Sequence, residues 1–314
     1  MIHVGVDLGG TNIKFGLFDE QGRILLQSKV RTDPGRGSNA VLQSIVDGVQ
    51  GLLAETSSRP EDIAAIGMGV PGTVDVDDGT VVYAPNIFWQ NVPVGYMVRK
   101  AFPAPFFIAQ DTRAAAWAEY LVGTGQGLRG LAAVTLGTGI GCGLVLNGHI
   151  FNGPLNTAGE FGHQIVEPGG NRCNCGRQGC LEAYAGGLAI VREACRRIPA
   201  IGHLIGKDTS EVGVDDVYQL AGSGHREALE LTAMVVRYVG MGLVNLINLC
   251  SVELISISGG ISNAPQDLLM NPLIDFVHAN AYISVARKVR ISTSPLREDA
   301  PLIGAALLYR ENRG

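Results

Sequence analysis

The stretch "HVGVDLGGTNIKFGLFDEQG" (residues 3–22) reads as a short β-branched strand, a glycine-rich turn, a second strand and another turn. That is the pattern of a hairpin meander. "LAAVTLGTGIGCGLVLNG" (residues 131–148) repeats the theme as strand, glycine turn, strand. Setting Asp7-Leu8-Gly9-Gly10-Thr11 against Thr135-Leu136-Gly137-Thr138-Gly139 matches hairpin to hairpin. Two similar halves, each opening with a turn the size of a phosphate, predict an internal duplication with a cleft between two lobes. The competing explanation is coincidence, because glycine turns are common.

The rest of the chain fits around these hairpins. From Ser38 the apolar residues Val41, Leu42, Ile45, Val46, Val49, Leu52 and Leu53 follow helical spacing. "DIAAIGMGVPG" returns as a buried strand ending at Pro71-Gly72, and "PFFIAQD" is a strand followed by the helical "TRAAAWAEYLVG". The C-terminal part is richer in helix. "REALELTAMVVRYVGMGLVNLINLC" predicts a long buried helix, "VELISISGGIS" a strand running into glycines, and "PLIGAALLYREN" a final helix opened by proline. The expected fold class is α/β, with an N-terminal lobe over 1–112 and a larger C-terminal lobe over 113–300. A final helix over 301–314 is expected to pack back on the first lobe.

Composition narrows the class. Hydrophobic residues make up 46% of the 314 and charged residues 17%, enough for a substantial core. The 43 glycines sit at punctuating positions rather than in a tract. A net charge of −5 disfavours nucleic acid as a partner, since that needs a basic face. "MIHVGVDLGG" has no basic region leading into an apolar core, so it does not read as a signal peptide. The greasiest run, from Ala233, contains Arg237, Asn245 and Asn248, which suits a buried helix better than a membrane span. The expectation is a cytoplasmic protein with no membrane partner, in a compartment where disulfides are disfavoured.

"RCNCGRQGC" (residues 172–180) holds three of the six cysteines. Its spacing is Cys-x-Cys-x4-Cys, not the Cys-x-x-Cys of a redox pair, so metal binding is the leading reading. Upstream, "NTAGEFGHQIV" supplies a histidine. His163, Cys173, Cys175 and Cys180 make a closed Cys3His set, the usual complement of structural Zn²⁺. Cys142, Cys195 and Cys250 lie in apolar contexts and read as core residues.

Other groups carry two readings each. "DLGGT" and "LGTGIG" offer backbone N–H groups unobstructed by side chains, suited to phosphate oxygens, although each also serves as a plain tight turn. Neither matches a Walker A or a Rossmann fingerprint. Asp7 is placed to hold Mg²⁺ through water, or simply to satisfy turn amides. Asp111, at the junction of a strand and a helix, is a helix cap or a general base opening on a cleft.

Taken together, "DLGGTNIKFGL", "GVPGTV", "APNIFW", "LGTGIGCGLVLNG", "AGEFGH" and "CNCGRQGCLEAYAGG" resemble the ROK family of sugar kinases and repressors, its bacterial glucokinases above all. The resemblance runs from Val4 to about Ala306. It implies the actin/hexokinase-like fold, two ribonuclease-H-like lobes with ATP and a hexose meeting in the cleft. By position, Asp7, Gly9, Gly10, Thr11 and Lys14 match the first phosphate motif, and Gly137, Thr138 and Gly139 the second. Gly259 and Gly260 match the glycine pair near the adenosine. Gly72, Asn86, Gln110, Glu160, His163 and Glu182 fall at sugar-binding positions, and Asp111 at the catalytic base. The family also implies Mg²⁺ with ATP and a homodimer or homotetramer. Chemically, clustered Asn, Asp, Glu and His suit a ring of hydroxyls that both donate and accept. One ring nitrogen of His163 on zinc would fix the direction of the other.

One segment departs from the family. Its kinases usually read Glu-Asn-Asp-Ala-Asn around the base, whereas this chain has "AQDTR", with Ala109, Gln110, Asp111, Thr112 and Arg113. Gln110 stands where the sugar-contacting asparagine is usual, which leaves the choice of hexose open. Arg113, on the helix's first turn, is expected at the solvent-facing surface; the alternative, facing the cleft, would lower the pKa of Asp111. Cys142 replaces a glycine after the second turn. The leading expectation is an ATP-dependent kinase acting on the 6-hydroxyl of glucose. Kinases for mannose, allose, fructose or N-acetylmannosamine are the nearest alternatives, followed by a sugar-binding protein without catalysis. A repressor would carry a helix-turn-helix ahead of the first motif, and here the strand starts at Ile2.

Overall fold

The computed structural model describes residues 1–313, which form two compact units. The first comprises Met1–Leu128, Gly143–Gly159 and the segment from Glu298; the second comprises Arg129–Cys142 and Glu160–Arg297.

The first unit opens with the expected meander of β1 (Ile2–Leu8), β2 (Asn12–Phe18) and β3 (Ile24–Arg31). Helix α1 (Ser38–Glu55) follows, and all seven of its helically spaced apolar residues are buried. It lies over β2, where Gly48 leaves room for the Phe15 ring. Strand β4 (Ile63–Val70) returns parallel to β1. A small antiparallel sheet of β5 (Thr73–Asp75), β6 (Thr80–Ala84) and β7 (Trp89–Val92), absent from the sequence reading, comes next with helix α2 (Val94–Ala101). Strand β8 (Phe106–Gln110) then joins β4 in parallel and passes directly into α3 (Asp111–Leu121). The main sheet has the order β3-β2-β1-β4-β8.

The next elements are β9 (Gly130–Leu136), β10 (Ile140–Leu146) and β11 (His149–Ile150). They are followed by helices α4 (Glu182–Ala185), α5 (Gly187–Arg197), α6 (Ile201–Ile205), α7 (Val214–Gly222) and α8 (Arg226–Cys250). Strand β12 (Leu254–Ser258), helix α9 (Met270–Asn280) and strand β13 (Arg290–Thr293) follow in the second unit, whereas β11 and the part of β10 from Gly143 belong to the first. The second five-stranded sheet reads β11-β10-β9-β12-β13, with β12 parallel to both β9 and β13. Strand for strand this is the order of the first sheet, so the duplication read from the two hairpins extends to topology. Among the described residues α8 alone is long and apolar enough to cross a membrane. Its stripe is occupied by packing instead: Leu231, Val235, Val239, Leu243 and Ile247 are buried, and Gly240 lies against Phe276 of α9.

Two sequence expectations need correction. The final helix α10 covers only Ala300–Ala306, and a 3₁₀ turn takes over at Leu308–Arg313. The boundary at 112 would also hand α3 to the C-terminal lobe, whereas α3 belongs to the first unit. The reason is close helix packing: Gly304 of α10 stands against the Ala114 backbone of α3, where any Cβ would collide. The same helix lies against β1 and β4, at Gly5 and Gly67.

Candidate active site and metal centre

In the first unit, the C-terminal ends of the parallel strands gather the carboxylates. Asp7 of β1 pairs in register with Gly69 of β4, and Gly69 with Ala109 of β8. Asp111 begins α3 just beyond, and a Cβ on Gly69 would stand 3.5 Å from its Cα. Gly69 thus stands between the Asp7 strand position and the start of α3, adding no side chain of its own. The Asp7 carboxyl is raised to about 7, by desolvation first, then by the charge of Asp111; Lys14 opposes the shift and Asp299 adds to it. The side chain keeps a partial opening to solvent. Asp111 Oδ1 accepts the Thr112 N–H at 2.7 Å from the first residue of α3, while the cap position itself is held by Gln110 without a side-chain bond. The Thr112 bond uses one oxygen and is compatible with a second role for the carboxylate.

The first glycine turn is held from behind. Gly9 N–H donates to Asn12 O at 2.9 Å, Thr32 N–H donates to Thr11 O at 2.9 Å, and the buried Thr32 hydroxyl donates to Gly9 O at 2.7 Å. Gly10 and Thr11 are left exposed. Lys14, expected to meet phosphate, donates to the Glu298 carbonyl at 2.9 Å and to its carboxylate at 3.2 Å, with Asp299 at 3.9 Å. Asn86 is exposed on a 3₁₀ turn whose backbone approaches Gly10. Gly72 has φ of 86° and abuts the Tyr83 carbonyl, a position closed to any side chain. Gln110 Oε1 is enclosed, with no hydrogen-bond partner among the described residues.

Arg113 is not at the surface. It is 1% exposed, and its guanidinium donates to the carbonyls of Ala158 (2.8 and 3.2 Å) and Asn156 (2.9 Å) and to Asn152 Oδ1 at 3.3 Å. The sequence carried only part of this signal. Arg113 precedes "AAAWA", and Ala114, Ala115, Ala116, Trp117 and Ala118 are all buried. A helix so short of large side chains packs on several faces, and its arginine is carried inside.

In the second unit the second glycine turn is closed by Gly137 N–H to Gly139 O at 3.0 Å. Glu182, at the start of α4, fastens it: Oε2 accepts the Ile140 N–H at 2.9 Å and presses against Gly139. Gly137 O accepts from Gly187 N–H at 2.8 Å, joining the turn to α5. Gly259 has φ of 90° and touches the Leu136 backbone, bringing the Gly259-Gly260 pair to the end of β9. Glu182 thus has a structural role that its sequence position did not reveal. Neither that role nor the acidic partners of Lys14 has a local motif.

The metal quartet is assembled. The donor atoms of His163, Cys173, Cys175 and Cys180 lie within 4.8 Å of one another. His163 Nδ1 is 3.7 Å from Cys173 Sγ, and Cys175 Sγ is 3.7 Å from Cys180 Sγ. Zn–S bonds of about 2.3 Å in a tetrahedron put sulfurs about 3.8 Å apart, so the set fits zinc. The 172–180 loop earns this shape through a bridge between Arg172 and Gln178, and Cys173 N–H to Arg177 O at 2.8 Å. With Nδ1 toward the thiols, Nε2 of His163 turns toward Glu160, 3.9 Å from its Oε2. Glu182 Oε1 lies 3.9 Å from Cys173 Sγ, so one carboxylate touches both the metal loop and the glycine turn.

Proteins similar to this chain in sequence and fold include sugar kinases and repressors. The sequence matches the ROK family over residues 3–312, and the chain belongs to that family. It has the actin/hexokinase-like fold that the family shares. A glucokinase from Halalkalibacterium halodurans is 33% identical over 98% of this chain and 95% of its own length. The crystal structure of a ROK family glucokinase from Streptomyces griseus, in complex with glucose and AMPPNP, matches with a TM-score of 0.84 at 33% identity, covering 99% of this chain and all of that one. A xylose repressor from Caldicellulosiruptor bescii is 26% identical over 96% of this chain and 76% of its own length.

Proposed function

We propose that the protein is an ATP-dependent hexose kinase, transferring the γ-phosphate to the 6-hydroxyl of glucose. The observation that supports this best is the electrostatic contact of Asp111 with Asp7 beside the first glycine turn, at the C-terminal ends of parallel strands, where α/β sheets place ligand-binding groups. In this reading Asp111 accepts the proton of the attacking hydroxyl. The turns at 9–11 and 137–139 receive phosphate oxygens on their N–H groups, with Gly259 and Gly260 beside the adenosine. Bound with ATP, Mg²⁺ would neutralise the phosphate charge, and Asp7 would hold it through water. Asn86, Gln110, Glu160, His163 and Glu182 align the sugar, with Gly72 keeping the chain clear of it. Such transfer depends mainly on positioning and charge neutralisation.

His163, Cys173, Cys175 and Cys180 hold a structural Zn²⁺ that orders the loop carrying the His163 ring. The enzyme works in the cytoplasm as a homodimer or homotetramer, which light scattering tests. The function itself is tested by coupled ADP release over glucose, mannose, allose, fructose and N-acetylmannosamine, with glucose expected to give the highest kcat/KM. A protein that binds glucose in calorimetry but releases no ADP would instead be a non-catalytic sugar-binding member, the reading kept open by the altered neighbourhood of Asp111.

A further inference from the structure

The loop at 151–159 has little regular structure of its own. Gly153, Asn156 and Gly159 all adopt positive φ (69°, 54° and 94°), and Leu155 is 81% exposed. Its internal hydrogen bonds are Asn156 N–H to Gly153 O (3.1 Å) and Ala158 N–H to Asn152 O (3.0 Å). What gathers its remaining oxygens is the Arg113 guanidinium, which reaches two carbonyls and one side-chain amide at once. A planar fork with five donors suits this task, and a lysine ammonium cannot span it. At its C-terminal end the loop runs straight into Glu160 and the 3₁₀ turn Phe161–His163. At the other end of the clamp, Arg113 is two residues from Asp111 on the first turn of α3.

From this geometry we infer that Arg113 is a positioning residue: it fixes the 152–158 loop, and through it the approach of the chain to Glu160, so that sugar affinity depends on it. The inference rests on the proposed kinase reading for its substrate. The charge of Arg113 is directed at loop carbonyls.

The test uses Arg113→Met, which keeps an apolar stem and removes every donor, together with Arg113→Lys and Asn152→Ala. Steady-state kinetics for glucose and ATP are combined with limited proteolysis, reading cleavage within 152–159 by mass spectrometry. Arg113→Met is expected to raise the glucose KM by about tenfold or more, with kcat within about threefold and the ATP KM within about twofold. Cleavage in the loop should accelerate by at least the same factor. Arg113→Lys should recover only part of the loss, and Asn152→Ala should show the same pattern more weakly. If Arg113→Met does not fold, Asn152→Ala, which leaves the buried cation in place, carries the test. Unchanged glucose KM and unchanged loop cleavage in a folded variant would overturn the inference, as would equal rises in the glucose and ATP KM. A wild type that phosphorylates no sugar would overturn the kinase reading alone, and the cleavage rates would still decide whether Arg113 is the clamp.

Discussion

Asp7 lies in register with Gly69, which stands against the start of α3 at Asp111, and the charge of Asp111 adds to desolvation in raising the Asp7 carboxyl to about 7. Below the ordinary carboxylate value of 3.8 both folded and unfolded chains keep this proton. As pH rises the unfolded chain releases it first, so stability falls progressively until the folded carboxyl also ionises near 7. A fully dry site would lose about 4 kcal/mol over that interval; with its opening to solvent, Asp7 should lose about 1–2 kcal/mol. Asp7→Asn should therefore gain in melting temperature relative to wild type between pH 4 and pH 8. Parallel melting curves for the two proteins across that range would contradict this account.

Asp111→Asn separates the two roles of that residue. An asparagine oxygen still accepts the Thr112 N–H, so this bond at the helix start survives. The proton acceptor is lost, and kcat should fall by about 10²–10⁴ while glucose binding by calorimetry changes little. Turnover at the wild-type level would leave Asp111 with its bond at the helix start only.

For the metal centre, elemental analysis of protein purified without added metal should find one zinc per chain. Less than about half a zinc with full activity would refute the assignment. Cys175→Ser should lower the melting temperature and the sugar affinity together, because metal binding and loop order are linked.

Gln110→Asn tests specificity. Its Oε1 is enclosed without a partner, a state that costs about 1–3 kcal/mol until a donor arrives. Shortening the side chain by one methylene withdraws that oxygen, and sites built on hydroxyl hydrogen bonds discriminate sharply when a partner is lost. The order of kcat/KM among glucose, mannose and the other hexoses should change. The same order in both proteins would remove Gln110 from the specificity determinants.

Sequence patterns made visible whatever depends on neighbours in the chain. The twin hairpins announced two sheets of the same strand order, and the seven apolar positions of α1 were all found inside. The gathering of His163 with Cys173, Cys175 and Cys180 was legible because thiols at such spacing have few other uses. Contacts between distant segments left no local trace. Lys14 meets Glu298 across 284 positions, and Glu182 meets Ile140 across 42. The strands β5, β6 and β7 are only three to five residues long, too short to show alternation. Arg113 was misjudged because surface exposure is the rule for arginine, and a run of alanines lifts that rule only when the partner helix is known.

The packing of α10 on β1 also sets a schedule for biosynthesis. Arg310 hydrogen-bonds the Glu20 carbonyl from 290 positions away, and Leu302 covers Gly5 nearby. At ribosomal speeds of about 5–20 residues per second, the first strand emerges on the order of 15–60 s before the helix that covers it. During that interval one face of β1 and β4 waits uncovered while the second unit is being made. Pausing within the codons between α3 and α10 should therefore raise aggregation of the nascent chain without altering a single residue.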